Sequence, residues 1–521
     1  MNDMLLPAGG VTMGHIVREA LRGRDSKIAF VQGTRSWTYR EVSRHVYTLA
    51  QTLVARGLRP GDGLALFMHN CPACFFIQAA AWVIGVRVTA LNTMAGPQDL
   101  QHVLADAEIR ILVHDDALAE RARAAGTQAG CEMIVPLGGR TAGDLMAQAA
   151  SLPDAPFSTP GSEAGIARIA YTGGTTGQPK GVVLPHRCMV QQLMMMMGSY
   201  QWPDEVRILL ATPLSHAAGS LVLPTLLKGG TVHLLARFDP DEFVQTVRLH
   251  QITTTWIVPT MIGALLQRPQ CNPAEMPSMS TVIYGAAPIS PARLTEALAR
   301  IGPVFMQHFG QTESPNTICM LRKEEHDPVG HPERLASCGR PMTGIQVALL
   351  DPEGREVADG TDGELCVRGR LVMDGYWKRP EETARTFAHG WLHTGDVARR
   401  DADGFMYIVD RIKDMIITGG FNVFPREVED ALATHPAVAA CAVVGVPDEV
   451  WGEAVKAFVV LREGHSADAQ ALAAHVRGLK GAVQAPKSVD FIGALPNTPV
   501  GKVDRKALRQ PFWAGRSDGV R

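Results

Sequence analysis

Between residues 166 and 308 the chain alternates short, apolar, β-branched runs with stretches of helical periodicity, and that alternation confines it to an α/β fold. The runs Ile166–Tyr171, Arg207–Ala211, Thr231–Leu235, Thr254–Val258, Thr281–Tyr284 and Val304–His308 read as buried strands. Their apolar character is continuous rather than alternating, which predicts parallel strands covered by helices on both faces. One helix start is legible between two of them. Ser290 supplies an N-cap hydroxyl, Pro291 occupies the first helical position, and Ile289 and Leu294 have the spacing of a hydrophobic staple. Thr281–His308 is therefore expected as a right-handed βαβ unit.

From about Cys338 the texture changes. Ile345–Leu350 and Glu364–Arg368 are short strands separated by Gly- and Asp-rich turns, which predicts a small antiparallel, barrel-like layer. The charged segment Asp410-Arg411-Ile412-Lys413-Asp414 then separates two apolar stretches, and a domain boundary is placed at about residue 411. Beyond it a compact α+β unit is expected. Its parts are a helix opened by Pro425, strands at Val438–Val444, Val455–Leu461 and Ser488–Ile492, and a helix capped by Ser466 that runs to about Leu479.

Composition narrows the function classes. With 521 residues, 46% apolar and 20% charged, the chain can bury a large core, so it is neither disordered nor a disulfide scaffold. A net charge of −2 gives no global field to recruit nucleic acid or anionic membrane. The most apolar stretch, Ala73 to Val88, contains Gln78, Gly85 and Arg87, too polar and too short for a membrane span. The first residues do not have the pattern of a secretory signal, and nine scattered cysteines read as reduced thiols, so a cytoplasmic location is expected. Cys71-Pro72-Ala73-Cys74 stands alone, and a structural helix start is favoured over a zinc or redox pair.

Four segments carry chemistry. Tyr171-Thr172-Gly173-Gly174-Thr175-Thr176-Gly177-Gln178-Pro179-Lys180-Gly181 follows a strand; its glycines let backbone amides converge on phosphate oxygens, and its threonines and Lys180 add donors. A mobile surface loop is the other reading, and Pro179 before the lysine disfavours an ordinary P-loop. Gly285-Ala286-Ala287 and Gln307-His308-Phe309-Gly310-Gln311-Thr312-Glu313 each end a strand of the βαβ unit, the edge where open α/β sheets bind ligands. There Phe309 offers a stacking face, Thr312 a hydroxyl and Glu313 a hard oxygen ligand suited to Mg²⁺; singly, these also read as core and solvated loop. His393-Thr394-Gly395-Asp396 with Asp410-Arg411 can hold ribose hydroxyls and phosphate, or form a surface ion-pair run. Pro496-Asn497-Thr498-Pro499-Val500-Gly501-Lys502 ends in an isolated lysine.

In this order, and with the GGFNVFPREVE segment after the charged hinge, these motifs resemble the adenylate-forming superfamily of acyl- and aryl-CoA synthetases, luciferases and peptide-synthetase adenylation domains. The match runs from about residue 25 to 510. It implies a large N-terminal adenylation domain, 1–410, of two packed α/β subdomains plus the barrel-like layer at about 338–410. It further implies a hinge at 411–413 centred on Lys413, and a small mobile α+β domain, 414–521. In such enzymes ATP and a carboxylate form an acyl-adenylate and pyrophosphate, and a thiol, usually of coenzyme A, displaces AMP.

Residue by residue, the resemblance implies that Thr172, Gly173, Gly174, Thr175, Thr176, Gly177 and Lys180 cradle the ATP phosphates. Gly285, Ala286, Ala287, Gln307, His308, Phe309 and Gly310 hold adenine, with Phe309 where the family usually has tyrosine. Thr312 meets the α-phosphate, Glu313 the Mg²⁺, Asp396 and Arg411 the ribose, and Lys502 the carboxylate and α-phosphate. Gly419, Gly420 and Phe421 face the pantetheine arm of coenzyme A after the small domain rotates. His216 is the acyl gate, and the pocket behind it draws on Trp256, Val258, Pro259, Met261, Gly310, Pro315, Asn316 and Ile318. Ala217 stands where amino-acid-activating members carry an aspartate, which disfavours an α-amino substrate. Met194–Met197 reads as core before it reads as adaptable pocket lining. The expected activity is an ATP- and Mg²⁺-dependent ligase joining a fatty or aryl acid to coenzyme A; the alternative is an enzyme loading a carrier-protein thiol in trans. Dimers are common in the family, and a homodimer is compatible with the sequence.

Overall fold

The computed structural model describes residues 10–138, 143–155, 161–172, 179–411, 414–419, 421–498 and 502–514. The expectations for Gly173, Gly174, Thr175, Thr176, Gly177, Lys413 and Gly420 fall outside these residues.

Two large sheets carry the N-terminal part. In the nine-stranded sheet the strands Ile28–Gln32, Thr231–Leu234, Arg207–Leu210, Thr254–Ile257, Thr281–Gly285 and Phe305–Gln311 lie side by side and parallel. The seven-stranded sheet centres on Gly63–Phe67, with every residue buried, and places Ile166–Thr172 parallel to Arg87–Ala90 and antiparallel to Lys180–Pro185. All six predicted runs are strands, but Ile166–Thr172 belongs to the second sheet and the other five to the first. Periodicity reports burial and not which sheet a strand joins. One continuous core cluster runs through both sheets and the helices between them.

The βαβ unit forms as its caps dictate. Ser290 Oγ accepts from the Arg293 amide at 3.3 Å, Pro291 opens the helix Pro291–Ile301, and Ile289 and Leu294 are both buried. The strands Gln346–Leu350, Asp362–Arg368, Leu392–Arg400 and Met406–Arg411 make the small antiparallel layer, four strands in sequence order. Among the described residues, every strand after Arg411 pairs only with others after Arg411, around separate apolar clusters. The helix Ala469–Lys480 corrects one expectation. Its cap is Asp468, whose carboxylate accepts the Ala471 amide at 2.6 Å, rather than Ser466 two residues earlier. A carboxylate there satisfies the same amide and also meets the positive end of the helix. Arg293 in the βαβ helix donates to the Ala439 carbonyl at 2.9 Å, tying the small C-terminal unit to the rim of the large one.

Candidate active site

The strands Phe305–Gln311 and Ser314–Leu321 form a hairpin whose two-residue tip is Thr312-Glu313. The pair crosses closely at Gly310, where a Cβ would lie 2.6 Å from the Asn316 amide nitrogen, so only glycine fits. Next to it the Gly285 Cβ position is 2.4 Å from the His308 carbonyl, and Ala286 sits at φ +67° while Asn316 sits at φ +58°. Non-glycine residues held there store strain, and such strain concentrates at ligand sites. The result is a narrow slot between Gly285–Ala287 and Gln307–Phe309 at the carboxyl ends of two parallel strands.

His308 borders the cleft with its ring nitrogens already bonded. Its ring is buried, with the Trp256 indole N–H donating to Nε2 at 3.0 Å and the Tyr200 hydroxyl 2.5 Å from Nδ1. Both ring nitrogens are thus engaged by protein partners, and the ring lies against Gly285 at the edge of the slot. An indole can only donate, so Nε2 is bare, and burial pushes the ring's pKa down to about 4.

On the opposite wall, Glu313 Oε1 accepts from the Tyr376 hydroxyl at 2.9 Å. Lys180 is ion-paired with Glu382 and lies 5.5 Å from the centre of the Tyr376 ring. Among the described residues the one cluster with preformed metal-ligating geometry is Glu364, Cys366 and His393, which excludes Glu313. A single carboxylate on the cleft wall suits Mg²⁺, which keeps waters and substrate oxygens in its shell instead of a protein cage.

Asp396 is buried midway along the strand Leu392–Arg400, cross-strand to Arg411, whose Nε lies 2.9 Å from Oδ1. The strand residues before it are fixed by the neighbouring strand. Glu364 accepts the Gly395 amide at 2.9 Å and pairs with His393 Nδ1 at 2.7 Å, and Thr394 Oγ accepts the Asp396 amide at 3.1 Å. Sequence reasoning missed Glu364, because an acid on a short strand has no distinguishing pattern. It also missed Tyr376 and Glu382, which lie far from their partners in the chain.

Lys502 comes from the C-terminal unit. Asn497 and Val503 form an antiparallel bridge, beside which the Thr498 amide donates to the Lys502 carbonyl at 2.6 Å and Lys502 N donates back to Thr498 Oγ at 3.2 Å. The side chain faces the same cleft as Thr312, Asp396 and His216. His216 Nδ1 is 2.8 Å from Ser215 Oγ, and burial, then Arg168, then Lys502, pushes its pKa down to about 4, so its ring is neutral at physiological pH.

The cleft encloses about 2330 Å³ between the two units. A single small-molecule site occupies about 300–1,000 Å³, so there is room for a nucleotide and a second ligand together. Thr172, Lys180, Gly285–Ala287, Gln307–Glu313, Asp396, Arg411 and Lys502 all border it, as do His216, Trp256, Pro315 and Asn316. Met261 does not; its side chain is buried in the core beneath the helix Pro259–Leu266, and Ile318 is likewise sealed in the core. Met195 and Met196 are core residues, and Met194 points to solvent. Gly419 and Phe421 lie off the cleft, on a hairpin where Gly419 N–H donates to the Trp451 carbonyl at 2.8 Å and Phe421 is exposed. Cys71 directly precedes the helix Pro72–Val83, as the structural reading expected, with its sulfur 3.7 Å from that of Cys74.

The chain matches the family model described as AMP-binding enzyme over residues 17–377 and that described as AMP-binding enzyme C-terminal domain over 427–502. It is 43% identical over 526 residues to a medium/long-chain-fatty-acid–CoA ligase, FadD8, of Mycobacterium tuberculosis, covering 97% of this chain and 91% of that protein. A feruloyl-CoA synthase of an Amycolatopsis species is 39% identical over 482 residues, 92% of this chain and 95% of its own. The crystal structure of ATP-bound MatB from Rhodopseudomonas palustris superposes with a TM-score of 0.89 at 29% identity, covering 97% and 99% of the two chains.

Proposed function

This chain belongs to the AMP-binding enzyme family and is an adenylate-forming acyl-CoA ligase; we propose that it activates an acid with an apolar body, a fatty or aryl carboxylic acid, and transfers it to coenzyme A. The observation that carries the reading is convergence. Asp396, the Thr312-Glu313 tip and Lys502, which come from three separate sheets and turns, border one cleft large enough for two ligands.

The chemistry needs those groups because a carboxylate approaching ATP is repelled by its target. In the proposed mechanism Asp396 accepts the ribose hydroxyls and Arg411 holds Asp396 in place. The slot at Gly285–Ala287 and Phe309 takes adenine. Thr312 donates to the α-phosphate, and Lys502 and Lys180 lower the repulsion and stabilise charge on the phosphoryl oxygens. Glu313, its orientation fixed by Tyr376, would hold Mg²⁺, which neutralises phosphate charge when bound. His216 is uncharged and closes the acyl side without competing for the carboxylate. We assign Lys413 as the hinge about which the small domain turns after adenylation, withdrawing Lys502 and bringing the Gly419-Gly420-Phe421 loop toward the thiol. The apolar walls at Trp256 and Pro315, with Ala217 where an amino-binding acid would stand, support an acid lacking an α-amino group.

The test is release of AMP over a panel of carboxylic acids, with and without coenzyme A. Release that requires both an apolar acid and coenzyme A is expected. Release that requires a carrier protein instead of coenzyme A would replace the acceptor assignment.

A further inference from the structure

Arg168 is the one charged side chain on the otherwise apolar strand Ile166–Thr172, paired with Val88 on one side and Leu184 on the other. Its setting differs from that of the other inward-turned arginines. Arg87 has Glu108 at 3.7 Å, and Arg505 has Glu429 at 2.6 Å. Arg168 has no ion pair among the described residues; burial alone acts on it, pushing its pKa down to about 10. One terminal nitrogen donates to the carbonyl of Ser215, the residue before the His216 gate. Its Nε is sealed from water and has no hydrogen-bond partner among the described residues. Arg168 is half-buried, so its positive charge stands at the cleft wall with one carbonyl acceptor and no anion beside it among the described residues.

The side chain borders the cleft, close to Ser215 and His216. Its cross-strand neighbour Leu184 lines the same cleft, as do Met189, Leu193, Gln78 and Gln192, Gln192 being 3% exposed to solvent. A hydrocarbon tail alone would displace water from this wall and leave the guanidinium with the Ser215 carbonyl as its one acceptor.

We propose that Arg168 is a specificity-determining residue that receives a second oxygen acceptor, a hydroxyl or a carboxylate carried on the apolar body of the acid. This rests on the ligase reading above and names its substrate class more narrowly: an acid oxygenated away from its reacting carboxylate. Gln78 and Gln192 provide further donors to the same group. Arg168 acts on substrate choice, and the reacting carboxylate is left to Lys502.

Acid-dependent exchange of labelled pyrophosphate into ATP tests this with matched acids. Octanoate is compared with octanedioate and with ω-hydroxyoctanoate, and cinnamate with its para-hydroxy derivative. The wild-type enzyme is expected to favour an oxygenated member of at least one pair by about tenfold or more in kcat/KM, because a site built to bond an oxygen rejects the analogue lacking it. The dicarboxylate and hydroxyl arms separate the two sources of that oxygen. Arg168→Met is expected to bring the ratio to about one, and Arg168→Lys to hold it in between. Wild-type preference for the bare acid in every pair overturns the inference without any variant, and so does an unchanged ratio in Arg168→Met. Exchange absent with every acid would instead overturn the ligase reading.

Discussion

Acidification should unfold this protein partly through His308, and the contribution can be isolated. The ring is neutral, with its bare Nε2 facing an indole N–H and its Nδ1 bonded to Tyr200, so a second ring proton would confront a donor. Its folded pKa, about 4, lies below the ordinary value of 6.5. The unfolded chain therefore binds a proton that the folded chain refuses. Stability from this group is complete above about pH 6.5 and is lost as pH falls from there toward 4. Evaluated at about pH 5, the difference between the two states is about 2 kcal/mol. His186, His233 and His326 are depressed in the same direction by burial and add to the wild-type loss. The assay is urea unfolding followed by tryptophan fluorescence at about pH 7.5 and about pH 5, for wild type and His308→Gln. Glutamine keeps an acceptor and a donor but cannot titrate. The stability lost on acidification should be about 2 kcal/mol smaller in the variant, even though the variant is the weaker protein at neutral pH. An equal loss in both proteins would refute the neutral, donor-capped ring.

Other expectations follow from the cleft. Lys502→Ala should lower acid-dependent pyrophosphate release by about 10²–10³ while leaving thioester formation from supplied acyl-AMP intact, measured as the two half-reactions separately. Gly310→Ala would place a Cβ 2.6 Å from the Asn316 amide nitrogen, against backbone that cannot give way, and should cost about 1–3 kcal/mol in thermal unfolding and misplace the Thr312-Glu313 tip.

Much of the scaffold was legible because burial and capping are local. The βαβ unit could be bounded from Ser290, Pro291 and two apolar runs alone. Arg411 and Asp396 were nameable from motif order and prove to be cross-strand partners. What escaped depends on contacts between distant segments. The resemblance puts His308 at the adenine site, but nothing in the sequence signals that Tyr200, 108 positions away, takes one of its nitrogens. Met261 had the apolar character of pocket lining and instead serves the core, since periodicity cannot say which buried face adjoins a cavity. Glu364, Tyr376 and Arg168 have no motif at all; each acquires meaning only from the strand, acid or cleft that the fold brings to it. The cap on Ala469–Lys480 missed by two residues because Ser466 and Asp468 are equally good caps in isolation.

The central claim is that one cleft joins an organic acid to AMP before any thiol is involved. Exchange of labelled pyrophosphate into ATP, measured without coenzyme A, addresses it most directly. Exchange that depends on an apolar carboxylic acid and disappears in Lys502→Ala is the predicted result. Exchange that proceeds without any acid, or that survives the loss of Lys502 undiminished, would contradict it.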